Sequence, residues 1–401
     1  MSSQQQSSQP RSLRIGIVVG EASGDILGAD LMRALRGAGT QGVEFVGVGG
    51  PRMIAEGFQS LFDMERLAVM GFVEPLKRLP ELLSMRARLR RHFLHWQADV
   101  VLGIDAPDFN LGLELWLRKR GIKTAHYVSP SVWAWRRGRI HKIKRAVDLM
   151  LTLFPFEEQF YRDHGVPVVC VGHPLADQLP LEPDAQAARA QLGIAPDRRV
   201  VALLPGSRGS EVALLGDAFL DTAEWLAQRR SDLQFLMPAA NAARRAQIEA
   251  QWSRRARPLP LTVLDGQSQL AMTAADAVLM ASGTTTLEAL LLKKPMVVAY
   301  RMGKWSFALA KRLVKISHIA LPNLLAGREL VPERLQDDVR AEVLGPLLLE
   351  RVGDHALRER LVTEFLAIHR SLRRDASQRA ALALLDVVAR HNEVVDRRAR
   401  A

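Results

Sequence analysis

Two series of short, almost continuously apolar runs constrain this chain more than any other feature. The first occupies residues 13–19, 43–48, 100–104, 123–128, 149–152 and 168–171, and helical spacing fills the gaps between runs. A strand with one wet face alternates apolar and polar residues. Runs apolar throughout need cover on both faces, which a parallel sheet between layers of helices provides. The second series lies at 200–204, 234–238, 261–264, 277–280 and 296–299. Between the series, the proline-bearing stretch from Gly172 to Asp184 reads as a linker. From about Pro332 onward, Arg, Glu and Leu recur at spacings that place an apolar stripe on one helix face. The expected class is α/β, with two Rossmann-like domains facing a cleft. Their expected bounds are 13–172 and 173–340, after a disordered tail at 1–12 and before C-terminal helices at 341–401 that pack across domains or subunits.

A length of 401 residues suits two domains of roughly 100–200 residues each. Hydrophobic residues at 48% and charged residues at 24% argue against a disordered or membrane-embedded chain. No stretch approaches the ~20 apolar residues that span a bilayer, so any membrane contact is expected to be peripheral. The Ser/Gln-rich start lacks the apolar core of a signal peptide, and the single cysteine, Cys170, excludes an intrachain disulfide. A cytoplasmic protein with a buried, inert thiol is expected. The formal charge of +12 calls for an anionic partner, whether nucleic acid, phosphorylated substrate or lipid headgroup.

Several strand-end turns carry chemistry. In Leu203-Leu204-Pro205-Gly206-Ser207-Arg208-Gly209, an apolar run enters a glycine turn and then a helix start. Backbone N–H groups there, with Arg208 as a fixed cation and Ser207 as a further donor, suit a pyrophosphate; a plain turn with Arg208 paired to Glu211 is the alternative. Ser282-Gly283-Thr284 repeats the pattern, and Glu288, about one helical turn on, can accept from a ribose diol. Gly266 is grouped with these as a substrate-binding position. In the first half, Gly20-Glu21-Ala22-Ser23-Gly24-Asp25 lacks the dinucleotide spacing G-x-G-x-x-G. Glu21 and Asp25 make it acidic, so Glu21, Ser23, Gly24 and Asp25 suit sugar hydroxyls better than phosphate. Asp105 and Asp108, in Ile104-Asp105-Ala106-Pro107-Asp108, are both candidates for a general base at a strand end.

The run Tyr127 to Arg139 mixes tryptophans with arginines and suits sugar faces, an acceptor phosphate or nucleic acid, or simply packs on its own domain. Leu76 to Trp96 is a basic amphipathic segment that suits a membrane interface or an ordinary surface. The histidines are scattered and no D-x-D appears, so neither metal nor other cofactor is expected.

Six segments resemble the lipid-A-disaccharide synthase family: GEASGD from Gly20, GIDAPDFN from Gly103, HYVSPSVWAWR from His126, LLPGSRGSEV from Leu203, ASGTTTLE from Ala281 and LPNLLAGRELVPE from Leu321. The family's usual ASGTAALE is altered here, with its Ser, Gly, Thr and Glu positions kept. The resemblance implies a GT-B fold and inverting transfer of 2,3-diacylglucosamine from UDP-2,3-diacylglucosamine to 2,3-diacylglucosamine 1-phosphate (lipid X). It matches Asp105 to the base, Arg208 to a pyrophosphate ligand, Glu288 to a ribose ligand and Asn323 to a further nucleotide residue. It also implies peripheral attachment to the cytoplasmic face of the bacterial inner membrane, and in some members a homodimer through the C-terminal region. An epimerase of UDP-N-acetylglucosamine is the rival enzyme reading. A nucleic-acid binder is disfavoured, because two phosphate-type turns and an acidic strand-end turn have no use in one.

Overall fold

A computed structural model describes residues 11–38, 42–67, 78–134, 137–303, 307 and 317–400. Seven strands form the first sheet: β1 (Leu13–Val19), β2 (Val43–Gly49), β3 (Gln59–Asp63), β4 (Val100–Ile104), β5 (Lys123–Tyr127), β6 (Leu149–Thr152) and β7 (Val168–Cys170). Their spatial order is β3-β2-β1-β4-β5-β6-β7, and every pairing is parallel. The second sheet contains β8 (Arg199–Leu204), β9 (Leu233–Ala239), β10 (Leu261–Asp265), β11 (Ala277–Ala281), β12 (Met296–Tyr300) and β13 (Glu333–Leu335). Its order is β10-β9-β8-β11-β12-β13, again all parallel. Each apolar run of the sequence is a strand. The two further strands, β3 and β13, read QSLFD and ERL, are mostly half-buried and lie at sheet edges, where continuous apolarity is not needed.

Ile15, Ile17 and Ile104 are fully buried on the face of the sheet covered by the helix Ala22–Gly37, with Leu31 and Leu35 in the same core, and Phe93 of the helix Leu79–His95 covers the other face at Gly16. Burial of each such side chain is worth about 1.5–3 kcal/mol, which is why both faces of the sheet are covered. Cys170 ends β7 as a buried free thiol, its pKa raised by burial.

The chain divides into two compact units, residues 1–174 with 372–401, and residues 175–371. The stretch 341–401, expected as one helical region, is shared between them. The helix Ala341–Gly353 sits in the second unit, where Leu344, Leu348 and Val352 join the core. The helix Ala376–Arg400 belongs to the first, where Ala376, Ala380, Leu384 and Val388, four residues apart, complete the core.

Both sheets reverse strand order at the same point. β1 lies between β2 and β4, and β8 lies between β9 and β11. In open parallel sheets, ligands bind beyond the carboxyl ends of strands at such switch points. The loops leaving β1, β4, β8 and β11 are those carrying Glu21, Asp105, Arg208 and Ser282.

Candidate active site

In the second unit a cavity of about 340 Å³ is lined by Gly206, Ser207, Arg208 and Glu211, by Gly266 and Ser268, and by Ser282, Gly283, Thr284 and Thr285. The sheet thus brings together turns some 75 residues apart in sequence, as expected. Gly206 has φ +124°, and a Cβ there would fall on the Glu211 carboxylate, so only glycine fits. Glu211 accepts from the backbone N–H of Ser207 at 3.0 Å and of Arg208 at 3.1 Å, and from Arg208 Nη1 at 3.2 Å. This pairing holds the turn and leaves the Arg208 side chain 64% exposed. The helices Gly209–Ala227 and Thr285–Leu291 both start at this cavity and direct positive dipole ends toward it.

Glu288 does not line the cavity; it is half-buried, and burial raises its pKa against a hydrogen bond from Gln269 that lowers it. Asn323, expected to contact the nucleotide, is held by its own unit. It is fully buried, and its Oδ1 accepts from Leu330 N at 2.7 Å and Val331 N at 2.8 Å. Its Nδ2 donates to Val331 O at 2.8 Å and Glu333 Oε1 at 2.7 Å, which leaves the amide saturated. Glu333 also accepts from the N–H groups of Ile319 and Ala320, and the Ile319 carbonyl accepts from Ser282 Oγ at 3.4 Å. Asn323 therefore reaches the cavity only through the loop behind Ser282. We expect Asn323→Ala to lose roughly 2–4 kcal/mol in urea denaturation, since several buried groups lose partners. A loss below about 1 kcal/mol with abolished UDP binding would return Asn323 to direct ligation.

In the first unit the loop after β4 is strained. Asp105 has φ +54°, Ala106 φ +45° and, at the end of the neighbouring β5, Val128 φ +74°, left-handed conformations that side chains avoid. Each costs of order 1–3 kcal/mol and persists only where surroundings impose it. Here Asp105 N donates to Tyr127 O at 2.9 Å and Val128 N to Leu151 O at 3.1 Å. Asn110 Nδ2 donates to Asp105 O at 2.8 Å and Val18 O at 3.1 Å. Beneath them Glu114 Oε1 and His126 Nδ1 meet at 2.7 Å, both fully buried, in space that the absent side chain of Gly103 provides. Burial raises the Glu114 pKa even so. These two residues were missed in the sequence; the available signal was a carboxylate on the buried face of an apolar helix.

The three candidate aspartates of the first half, Asp25, Asp105 and Asp108, have different fates. Among the described residues, no group hydrogen-bonds or pairs with the half-buried Asp105 carboxylate, which borders cavities of about 440 and 350 Å³. Asp108 borders both as well, but its carboxylate pairs with Arg139. Asp25, expected to meet sugar, is 3% exposed and accepts from the N–H groups of Gly50 at 2.9 Å, Arg52 at 2.9 Å and Met53 at 3.1 Å. It caps the helix Pro51–Ala55, whose unmet N–H groups attract an anion more strongly than a sugar does. Gly24 is also buried, with Val19 and Ile104 where a side chain would be, so it serves helix-to-sheet packing rather than substrate. Ser23 is exposed and borders neither cavity; Glu21 lines the larger one.

Of the aromatic run, Trp135 and Arg136 lie outside the described residues. Trp133 packs on its own unit, edge-on to Phe156 at 4.9 Å, and donates Nε1 to Glu157 Oε1 at 3.3 Å. Burial pushes the Glu157 pKa from 4.5 up to about 7. The native state therefore holds a proton that the unfolded chain has lost, so stability falls as pH rises from about 4.5 through 7. Glu157→Gln, which cannot ionise, is expected to gain about 1–3 kcal/mol over wild type at pH 8 and little at pH 5 in paired denaturation curves. Equal effects at both pH values would count against a buried, titrating carboxyl.

A family model described as lipid-A-disaccharide synthetase matches residues 15–387. The lipid-A-disaccharide synthase of Pseudomonas aeruginosa (strain UCBPP-PA14) is 58% identical over 378 residues, 94% of this chain and 99% of that protein. That of Hahella chejuensis (strain KCTC 2396) is 54% identical, covering 94% of this chain and 95% of its own. Among solved structures, the UDP-GlcNAc 2-epimerase from Neisseria meningitidis bound to UDP-GlcNAc has a TM-score of 0.61 at 14% identity, covering 93% of this chain and all of that one. At so low an identity the likeness concerns the fold alone, two Rossmann-like units of the GT-B kind.

Proposed function

Because this chain belongs to the lipid-A-disaccharide synthase family, whose members are glycosyltransferases, we propose how its residues divide the work of that reaction. The enzyme transfers 2,3-diacylglucosamine from its UDP derivative to lipid X, forming the β-1,6-linked lipid A disaccharide 1-phosphate and UDP. Asp105 takes the proton from the acceptor 6-hydroxyl as that oxygen bonds to the anomeric carbon of the donor. The bond from this carbon to UDP breaks, its electron pair leaves on the diphosphate, and the stereocentre inverts. The diphosphate rests against Ser207, Gly283 and Thr284, with Gly266 leaving room beside them. Arg208 exchanges Glu211 for the departing charge. Glu288 accepts from the ribose. The supporting observation is that, of the three candidate aspartates Asp25, Asp105 and Asp108, only Asp105 keeps a carboxylate unengaged among the described residues.

The acceptor's acyl chains suit the larger cavity by Asp105, walled by Leu67, Leu79, Leu82 and Leu83. Leu79 and Leu83 are about half exposed on a helix that also carries Arg88 and Arg91, which favours peripheral contact with an anionic membrane surface, the cytoplasmic face of the inner membrane. Residues 76 and 77 of that segment lie outside the described ones. No described helix is long and apolar enough to cross a membrane. A homodimer through the C-terminal region would use the outer face of the last helix, where Leu382 is 54% exposed, since the inner face is already buried.

The test is incubation of the protein with UDP-2,3-diacylglucosamine and lipid X in detergent micelles. Disaccharide and UDP in equal amounts are expected. Sugar isomerisation without acceptor would support the epimerase reading instead.

A further inference from the structure

We propose that Arg86, Arg139 and Lys142 form a pocket for the anomeric phosphate of the acceptor sugar, an assignment that rests on the acceptor-site reading of the loop after β4. Two cations contact Asp108, and a third stands one helical turn beyond Arg139. Arg139 pairs with its carboxylate, and Arg86 Nη2 donates to its carbonyl at 3.1 Å while lying over the Phe109 ring at 4.8 Å. Lys142, three residues beyond Arg139, is close enough that both arginines lower its pKa in addition to burial. Among the described residues, Asp108 is the one carboxylate in ion-pair contact with any of the three. The nearby Glu114 is engaged with His126, and Arg86 Nε is buried with no hydrogen-bond partner among the described residues. The site therefore carries more desolvated positive charge than its own anions offset, an arrangement that a phosphate monoester dianion corrects.

Asp108 is built as a displaceable counter-ion. Its side chain is 80% exposed whereas that of Arg139 is 16% exposed, so the carboxylate can swing into solvent at little cost and leave the guanidinium in place. The helix Pro107–Arg118 adds its positive end at the same point. Position also fits. In a pyranose the phosphorylated carbon and the carbon bearing the 6-hydroxyl arm flank the same ring oxygen. A 6-hydroxyl at Asp105 then sets the phosphate a short way along the same wall. Asp105 borders both cavities, Arg86 lines one and Arg139 the other.

Steady-state kinetics with two acceptors, lipid X and its dephosphorylated form 2,3-diacylglucosamine, test this. For Arg139→Gln we expect kcat/KM toward lipid X to fall about 10- to 100-fold, mainly through KM, as for a lost charge-assisted hydrogen-bond pair. Toward the dephosphorylated acceptor it should stay within about twofold of wild type, because that ligand never used the cation. Lys142→Gln should show the same pattern more weakly, and carries the test should Arg139→Gln fail to fold. An equal loss on both acceptors would overturn the phosphate pocket. A wild-type enzyme that glycosylates neither acceptor would instead overturn the acceptor reading beneath it.

Discussion

Asp105→Asn is expected to lower turnover about 100-fold or more, with UDP binding nearly intact, because a positioned general base typically contributes at least that much. Asparagine is the informative replacement. At φ +54° it is among the few side chains that tolerate the left-handed region, so it removes basicity while keeping the strained loop. Asp105→Ala loses the same proton acceptor and adds backbone strain, so it should be at least as inactive and somewhat less stable. Turnover within threefold of wild type (roughly 0.6 kcal/mol of barrier) in the asparagine variant would remove Asp105 from the base role. Asp108 is the poorer candidate for the base because its carboxylate is already engaged by Arg139.

The second large effect is at the donor turn. Arg208→Ala should reduce kcat/KM for the UDP-sugar about 100-fold, the usual cost of removing one fixed donor at a site of developing negative charge. Arg208→Lys should recover only part of it, since the planar fork that meets a diphosphate at two points becomes a single ammonium. Arg208 pairs with Glu211 at 3.2 Å, so the cation is held near its task without being buried by it. A loss under about fivefold would mean that backbone N–H groups at Gly283 and Thr284 carry the leaving charge without the guanidinium.

Much of this was legible because it depends on short segments. The apolar runs marked every interior strand and the edge strands β7 and β10, while QSLFD and ERL at the other edges were not recognisable, since an edge strand needs no second apolar face. The turn at Pro205 to Arg208 was legible for a comparable reason: the φ of Gly206 and the capping by Glu211 are set within a few residues. The packing of Asn323 and Gly24 was not legible, because a motif residue needed for packing looks the same, in one dimension, as one needed for ligand.

The sequence by itself determined two parallel α/β sheets, the strand-end turns that line one cavity of the second unit, and the family to which the chain is similar. Only the tertiary structure decided which carboxylate stays free. Asp25 is taken up by N–H groups at residues 50–53, Asp108 by Arg139, and Asp105 by nothing among the described residues. It also decided that the last helix completes the first unit's core. The physical reason is range: hydrophobic runs and turn angles are properties of neighbours along the chain, whereas an ion or hydrogen bond goes to whichever partner the fold brings within about 3 Å.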